Sequence, residues 1–255
     1  MGEIVRYKSD VWGEEVILGV SWDLLWVVAV AVLILLAAHA IVMATLANKN
    51  LDRPTAEGRR VVRHESVDRA FHWLMAASIF VLIFTGTAPI IGLRIAWLDI
   101  HWISGLILTF LIVAHIIRSM FWQDFKSMLL TPKDFTEPFD STSKPGKYYF
   151  EQKGLHWAAT VVVLAVIVTG VLMFMQIDSP FWDRTNSMPE DQLGLVFLLH
   201  GLSTLALVAL ASTHIYFALR PEKIFYTRSM IAGWMSEDEL AANHDPAKWT
   251  PKEAE

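Results

Sequence analysis

Seven of the nine histidines lie in stretches free of acidic and basic residues: His39, His72, His101, His115, His156, His200 and His214. An ionisable side chain in hydrocarbon costs on the order of 2–3 kcal/mol unless it has a partner, and such residues face a bundle interior and serve function. Neutral imidazole is a good ligand for iron, and two of them on facing helices can clamp a haem axially. Their spacing suits that use. His101 and His115 are fourteen residues apart, as are His200 and His214. Fourteen residues make about 21 Å of helix and return to within about 40° of the same face. Each such helix therefore points two imidazoles to one side at different depths.

The set is duplicated. His72-Trp73 followed by Thr85-Gly86 matches His156-Trp157 followed by Thr169-Gly170, interval for interval. A His-Trp helix followed by a double-His helix thus occurs twice, over residues 70–118 and 154–220, as a parallel repeat about a pseudo-twofold axis along the membrane normal. His101 and His200 are symmetry mates near the outer ends of their helices and form the safest pair. For the inner four the spacing leaves several pairings open: His115 with His214, His72 with His156, or His72 with His214 and its mate His115 with His156. Small neighbours at Gly105, Gly194 and Gly201 offer room for a flat macrocycle against a helix. His39 has no counterpart and reads as a packing residue, and His64 and His244 read as solvated loop residues.

Five charge-free runs must position these side chains: Leu24 to Ala47, Ala70 to Leu93, Ile100 to Ile117, Gly154 to Ile177 and Gln192 to Leu219. Each is long enough to cross a hydrocarbon core that needs roughly 20 apolar residues. The expected fold is an all-α integral membrane protein of five transmembrane helices. The last four form a haem-binding bundle over residues 61–220; residues 1–60 carry the outer terminus, a peripheral extra helix and a linker, and 221–255 a cytoplasmic tail. The first run is too long for a signal-peptide core, and the amino terminus is expected to be retained. The composition agrees with a membrane protein, at 255 residues, 54% hydrophobic and 18% charged, with a mean hydropathy of +0.41.

Seventeen basic residues, including Lys49, Arg53, Arg63, Arg118, Lys153 and Arg228, flank one side of the spans, against Arg6, Lys8, Arg94 and Arg184 on the other. Basic residues are held inside, so the amino terminus is expected outside and the carboxyl terminus in the cytoplasm. With no cysteine there is no disulfide, thiolate-held iron–sulfur cluster or c-type haem. A net charge of −5 without a basic segment excludes nucleic acid as a partner. Trp73, Trp97, Trp102, Trp122, Trp157 and Trp182 fall near span ends and read as an aromatic belt.

Val62-Arg63, Asp68 to Trp73, Ile100-His101 with Gly105, Lys147-Tyr148, Gln152-Lys153, Val168 to Val171, Leu198 to His200 and His214 to Tyr216 resemble, in order and spacing, the gamma subunits of respiratory formate dehydrogenases. Hydrogenase cytochrome b subunits, thiosulfate reductase anchors and bacterial cytochrome b561 proteins share that four-helix haem domain. The resemblance implies an outer b-type haem on His101 and His200 and an inner one on His72 and His214. It also implies a quinone site lined by His214 and the segment Tyr149, Gln152 and Lys153. There the sequence departs from the family, with Tyr149 for an Asn and Glu151 for a Gly. His115 and His156 stand where the family has apolar or aromatic residues, and they could hold a third haem or hydrogen-bond quinone or propionates. Arg69, one turn before His72, could meet a propionate.

No nucleophile–base arrangement or phosphate loop is visible, and the extramembrane segments are too short for a separate catalytic domain. The expected function is therefore that of a bacterial or archaeal inner-membrane anchor and electron wire. By resemblance it works between an iron–sulfur subunit, docked on the outer face beside a molybdenum or tungsten catalytic subunit, and the quinone pool. Two rivals stand beside it: a stand-alone cytochrome b561-type quinone oxidoreductase, and a haem-free transporter with a histidine relay.

Overall fold

The computed structural model describes residues 4–46, 56, 58–140 and 143–253. Five helices are long and apolar enough to span a membrane: α1 (Trp22–Leu46), α2 (Ser66–Thr87), α3 (Trp97–Phe121), α4 (Phe150–Phe174) and α5 (Glu190–Ala218). Their boundaries follow local chemistry. Pro89 stands two residues after α2, where a ring without an N–H cannot continue the ladder. Pro189 immediately precedes α5, and its carbonyl accepts from Leu193 N at 3.0 Å. Glu190 and Asp191 sit in the first turn of α5, beside the positive end of the helix dipole.

Helices α2 and α4 begin four residues before the charge-free runs. Each therefore carries charged residues in its first turns, Asp68 and Arg69 in one case and Glu151 and Lys153 in the other. None of the most apolar window of α1 is buried, as suits a helix outside the repeat. Ala47, Lys49 and Arg53, used in reading the first span and the charge asymmetry, lie outside the described residues.

Internal contacts divide the chain into two compact units. The first comprises Met1–Ala40, Ser78–Thr109 and Ala158–Thr213. Here β1 (Val5–Ser9) and β2 (Glu15–Val20) pair as an antiparallel hairpin, which the all-helical expectation did not contain. The hairpin lies on α5 through two glycines. A Cβ on Gly201 would come within 2.7 Å of the Val20 side chain, and one on Gly194 would collide with the Ile17 carbonyl.

The second unit comprises Ile41–Ala77, Phe110–Trp157 and His214–Glu255. Three short 3-10 turns, Phe125–Met128, Pro132–Phe135 and Glu137–Phe139, fill the connection before α4. Strand β3 (Arg60–Val62) pairs antiparallel with β4 (Trp234–Ser236), which follows α6 (Ile224–Ala232) and leads into α7 (Glu237–Asn243). Val61, Phe225 and Met235 form a small core, with Tyr226, Leu240 and Trp249 against it. Residues 221–253 are thus folded as a cap.

The turn from α6 into β4 needs Gly233. Its φ of +92° is costly for residues with a Cβ, and a Cβ there would meet the His64 carbonyl at 3.1 Å. The Gly233 carbonyl accepts from both Arg63 N and His64 N.

Candidate functional site

Within the first unit, α3 presents His101 and α5 presents His200. Their ring centroids are 6.3 Å apart and their planes cross at 70°. Each imidazole is oriented by a threonine from the preceding helix. Thr85 Oγ1 lies 2.8 Å from His101 Nδ1, and Thr169 Oγ1 lies 2.9 Å from His200 Nδ1. The threonine hydroxyl protons are already used, Thr85 donating to Val81 O at 2.7 Å and Thr169 to Ala165 O at 2.6 Å. With those protons on the carbonyls, the Nδ1–H of each histidine donates to its threonine. That assignment leaves Nε2 unprotonated and available to a metal.

Gly86 and Gly170 complete the symmetry. A Cβ on either would stand 3.5 Å from Cε1 and 3.9 Å from Nδ1 of its histidine. The Thr-Gly pair that recurs thirteen residues after His72 and His156 is the sequence signal of this arrangement. Gly105, read as macrocycle space, has only Leu82 Cδ2 within reach, at 3.9 Å. Gly194 and Gly201 face β2 as described.

Within the second unit, α2 and α5 bring His72 and His214 to a ring separation of 6.2 Å with planes at 58°. The Nδ1 of His72 is buried and has no hydrogen-bond partner among the described residues. His115 packs beside Phe71, ring centroids 6.2 Å apart, and His156 meets Trp157 edge-on at 5.7 Å. Arg69 donates from Nη1 to Ile231 O, while its buried Nε has no partner among the described residues. Arg69 lines a polar cavity of about 330 Å³ together with Arg60, His64 and Glu65.

The residues expected around a quinone are engaged with protein groups. Tyr149 N donates to Gln152 Oε1 at 3.1 Å, and Tyr149 Oη donates to Asn243 O at 2.8 Å. Lys153 Nζ lies 2.6 Å from Asp134 Oδ1. Burial alone would push the Asp134 carboxyl up, but hydrogen bonds from Lys153 and Thr131 together hold it below the usual carboxylate range. Tyr149 is pushed up by burial, and Lys223, whose Nζ stands 4.6 Å over the Tyr149 ring, is pushed down by burial.

His64 and His244 are not solvated. Both are buried, His244 completely. His244 Nδ1–H donates to Gly146 O at 2.6 Å, and its Nε2 accepts from Arg63 Nη1 at 3.0 Å and from Tyr226 Oη at 3.1 Å. Arg63 also donates to Lys147 O and stacks 4.5 Å over Tyr226. Burial, then the charge of Arg63, drives the His64 imidazole down to about 2 and that of His244 to about 4. Both rings are neutral.

Trp73 and Trp157 are more than belt residues. Trp73 Nε1 donates to Met230 O at 3.1 Å and Trp157 Nε1 to Met128 O at 2.9 Å.

A five-span helical membrane protein with paired, tautomer-fixed imidazoles defines a class, the membrane-bound b-type cytochromes. The family of prokaryotic cytochrome b561 matches residues 63–233, and the chain belongs to it. It is 26% identical to the formate dehydrogenase cytochrome b556 subunit of Haemophilus influenzae over 212 residues, 76% of this chain and 84% of that one. It is 30% identical to the formate dehydrogenase cytochrome b556(fdo) subunit of Escherichia coli K12 over 116 residues, 43% of this chain and 51% of that one. The chain is a multi-pass inner-membrane cytochrome b with an electron-transfer role.

Proposed function

We propose that this chain carries electrons between a partner iron–sulfur subunit and the quinone pool through two bis-His b-type haems, one on His101 and His200 and one on His72 and His214. The carrying observation is the pair of ring separations, 6.3 and 6.2 Å. Each pair would hold a haem iron between two imidazoles from different helices. The residues fit the group in other respects. Both outer Nε2 atoms are kept free by their threonines, and Gly86 and Gly170 keep side-chain bulk away from the imidazole edges.

Bound haem would supply reversible one-electron transfer without loss of a ligand. The protein's part is to hold four neutral imidazoles. Thr85 and Thr169 receive the Nδ1 protons and so raise ligand basicity. We assign Arg69, whose buried Nε has no partner among the described residues, to a propionate. Quinone reduction requires protons, and we assign that chemistry to Tyr149, Gln152 and Lys153 at the start of α4, with His214 of α5.

The orientation follows from the charge count: amino terminus outside, carboxyl terminus inside. We retain the division into an outer and peripheral segment (1–60), a haem domain (61–220) and a cytoplasmic segment (221–255). The catalytic partner is inferred from the relatives, which are named as formate dehydrogenase subunits. Purification of the membrane complex through a tag on this chain tests it. Recovery of an iron–sulfur protein and a molybdenum or tungsten enzyme supports the reading; a chain that purifies alone and still reduces quinone contradicts it.

A further inference from the structure

The internal repeat extends to side chains that the two-haem reading does not use. Arg69, His72 and Trp73 have Lys153, His156 and Trp157 as mates, at the same spacing. Their bonds are matched as well. Arg69 Nη1 donates to Ile231 O and Trp73 Nε1 to the neighbouring Met230 O. Lys153 Nζ donates to Leu129 O at 3.2 Å and Trp157 Nε1 to the neighbouring Met128 O at 2.9 Å. In both copies a cation and a tryptophan, one turn apart, clasp two consecutive carbonyls of the segment that follows a double-His helix. Each clasp brackets one histidine.

In the first copy that histidine, His72, faces the inner histidine of α5, His214. In the second copy the repeat makes His156 the mate of His72, and the inner histidine of α3, His115, the mate of His214. The Phe71 ring lies beside His115, centroids 6.2 Å apart. Two further imidazoles thus lie inside spanning helices, on α3 and α4, at the positions that the repeat makes equivalent to the His72–His214 pair.

We propose that His115 and His156 are the axial ligands of a third b-type haem, the repeat-related counterpart of the His72–His214 site. The proposal rests on the two-haem reading, and the cation of the second clasp, Lys153, takes the place that Arg69 has in the first.

The test is a pyridine haemochrome assay against quantified polypeptide on the full-length chain purified with its native haem, with a potentiometric titration of the same samples. The expected result is three haems and three one-electron components. His115→Ala and His156→Ala should each leave two haems and remove the same component, while His101→Ala removes a different one. Two haems in the unaltered chain overturn the third site and leave the two-haem reading standing. Three haems that persist in His115→Ala and His156→Ala also overturn it. Fewer than two haems overturn the reading beneath it. Should either variant fail to accumulate, the count on the unaltered chain decides.

Discussion

The guanidinium of Arg63 and the imidazole of His244 are buried in hydrogen-bond contact, Nη1 to Nε2 at 3.0 Å. The contact is possible only while His244 is neutral, because protonated Nε2 would turn its acceptor into a donor facing a cation. Burial and Arg63 depress the imidazole from 6.5 to about 4. Between those values the unfolded chain binds more protons than the folded cap. The stabilisation is therefore full above pH 6.5 and is lost as pH falls toward 4, by about 3 kcal/mol in total. Limited proteolysis of segment 234–253 across that range should show the cap opening on acidification. A cap that opens equally at pH 7.5 and 4.5 would contradict this.

Thr85 and Thr169 hold the Nδ1 protons of the outer histidines. Thr85→Val and Thr169→Val remove the acceptor at nearly constant shape. Each should weaken haem retention by 10–100-fold and raise the potential of one haem component, since a less basic imidazole stabilises ferric iron less. The two variants should act on the same component. Redox titration that finds different components affected would separate His101 from His200.

Gly194 and Gly201 serve the hairpin. Gly194→Ala places a methyl group against the Ile17 carbonyl and should detach β1 and β2 from α5, with overpacking worth about 1–3 kcal/mol. Faster proteolysis of residues 4–20 at an unchanged haem count is the expected outcome. Loss of haem without hairpin exposure would return these glycines to the macrocycle.

Breaking the Lys153–Asp134 contact tests the connection before α4. Lys153→Met leaves Asp134 buried without its cation, and a broken buried pair costs about 3–5 kcal/mol. Thermal unfolding should begin earlier, and Asp134→Asn combined with Lys153→Met should recover part of the loss. A double variant no more stable than Lys153→Met would show that the two side chains are not coupled.

The spanning helices were legible because apolarity over about 20 residues is a property of consecutive sequence. The histidine repeat was legible because fixed intervals survive folding unchanged. The cap was not: Arg63 and His244 are 181 residues apart, and nothing local in either neighbourhood announces the other. His64 and His244 looked like loop residues because their neighbours are polar, yet backbone carbonyls and aromatic faces from distant segments bury them. The hairpin escaped notice because Val5 to Val20 mixes charges with short apolar runs. Gly201 shows the limit from the other side: a small residue beside a histidine signals close approach, but the sequence does not say of what, and the approaching group is Val20.

Paired imidazole ligation is read directly by electron paramagnetic resonance of the oxidised protein. Imidazole planes at 70° and 58° should give low-spin ferric signals of the strongly anisotropic, large-g type. His101→Ala and His72→Ala should each convert a different signal to high spin or abolish it. Low-spin signals unaffected by either substitution, or a high-spin spectrum in the unaltered protein, would contradict the assignment of both pairs.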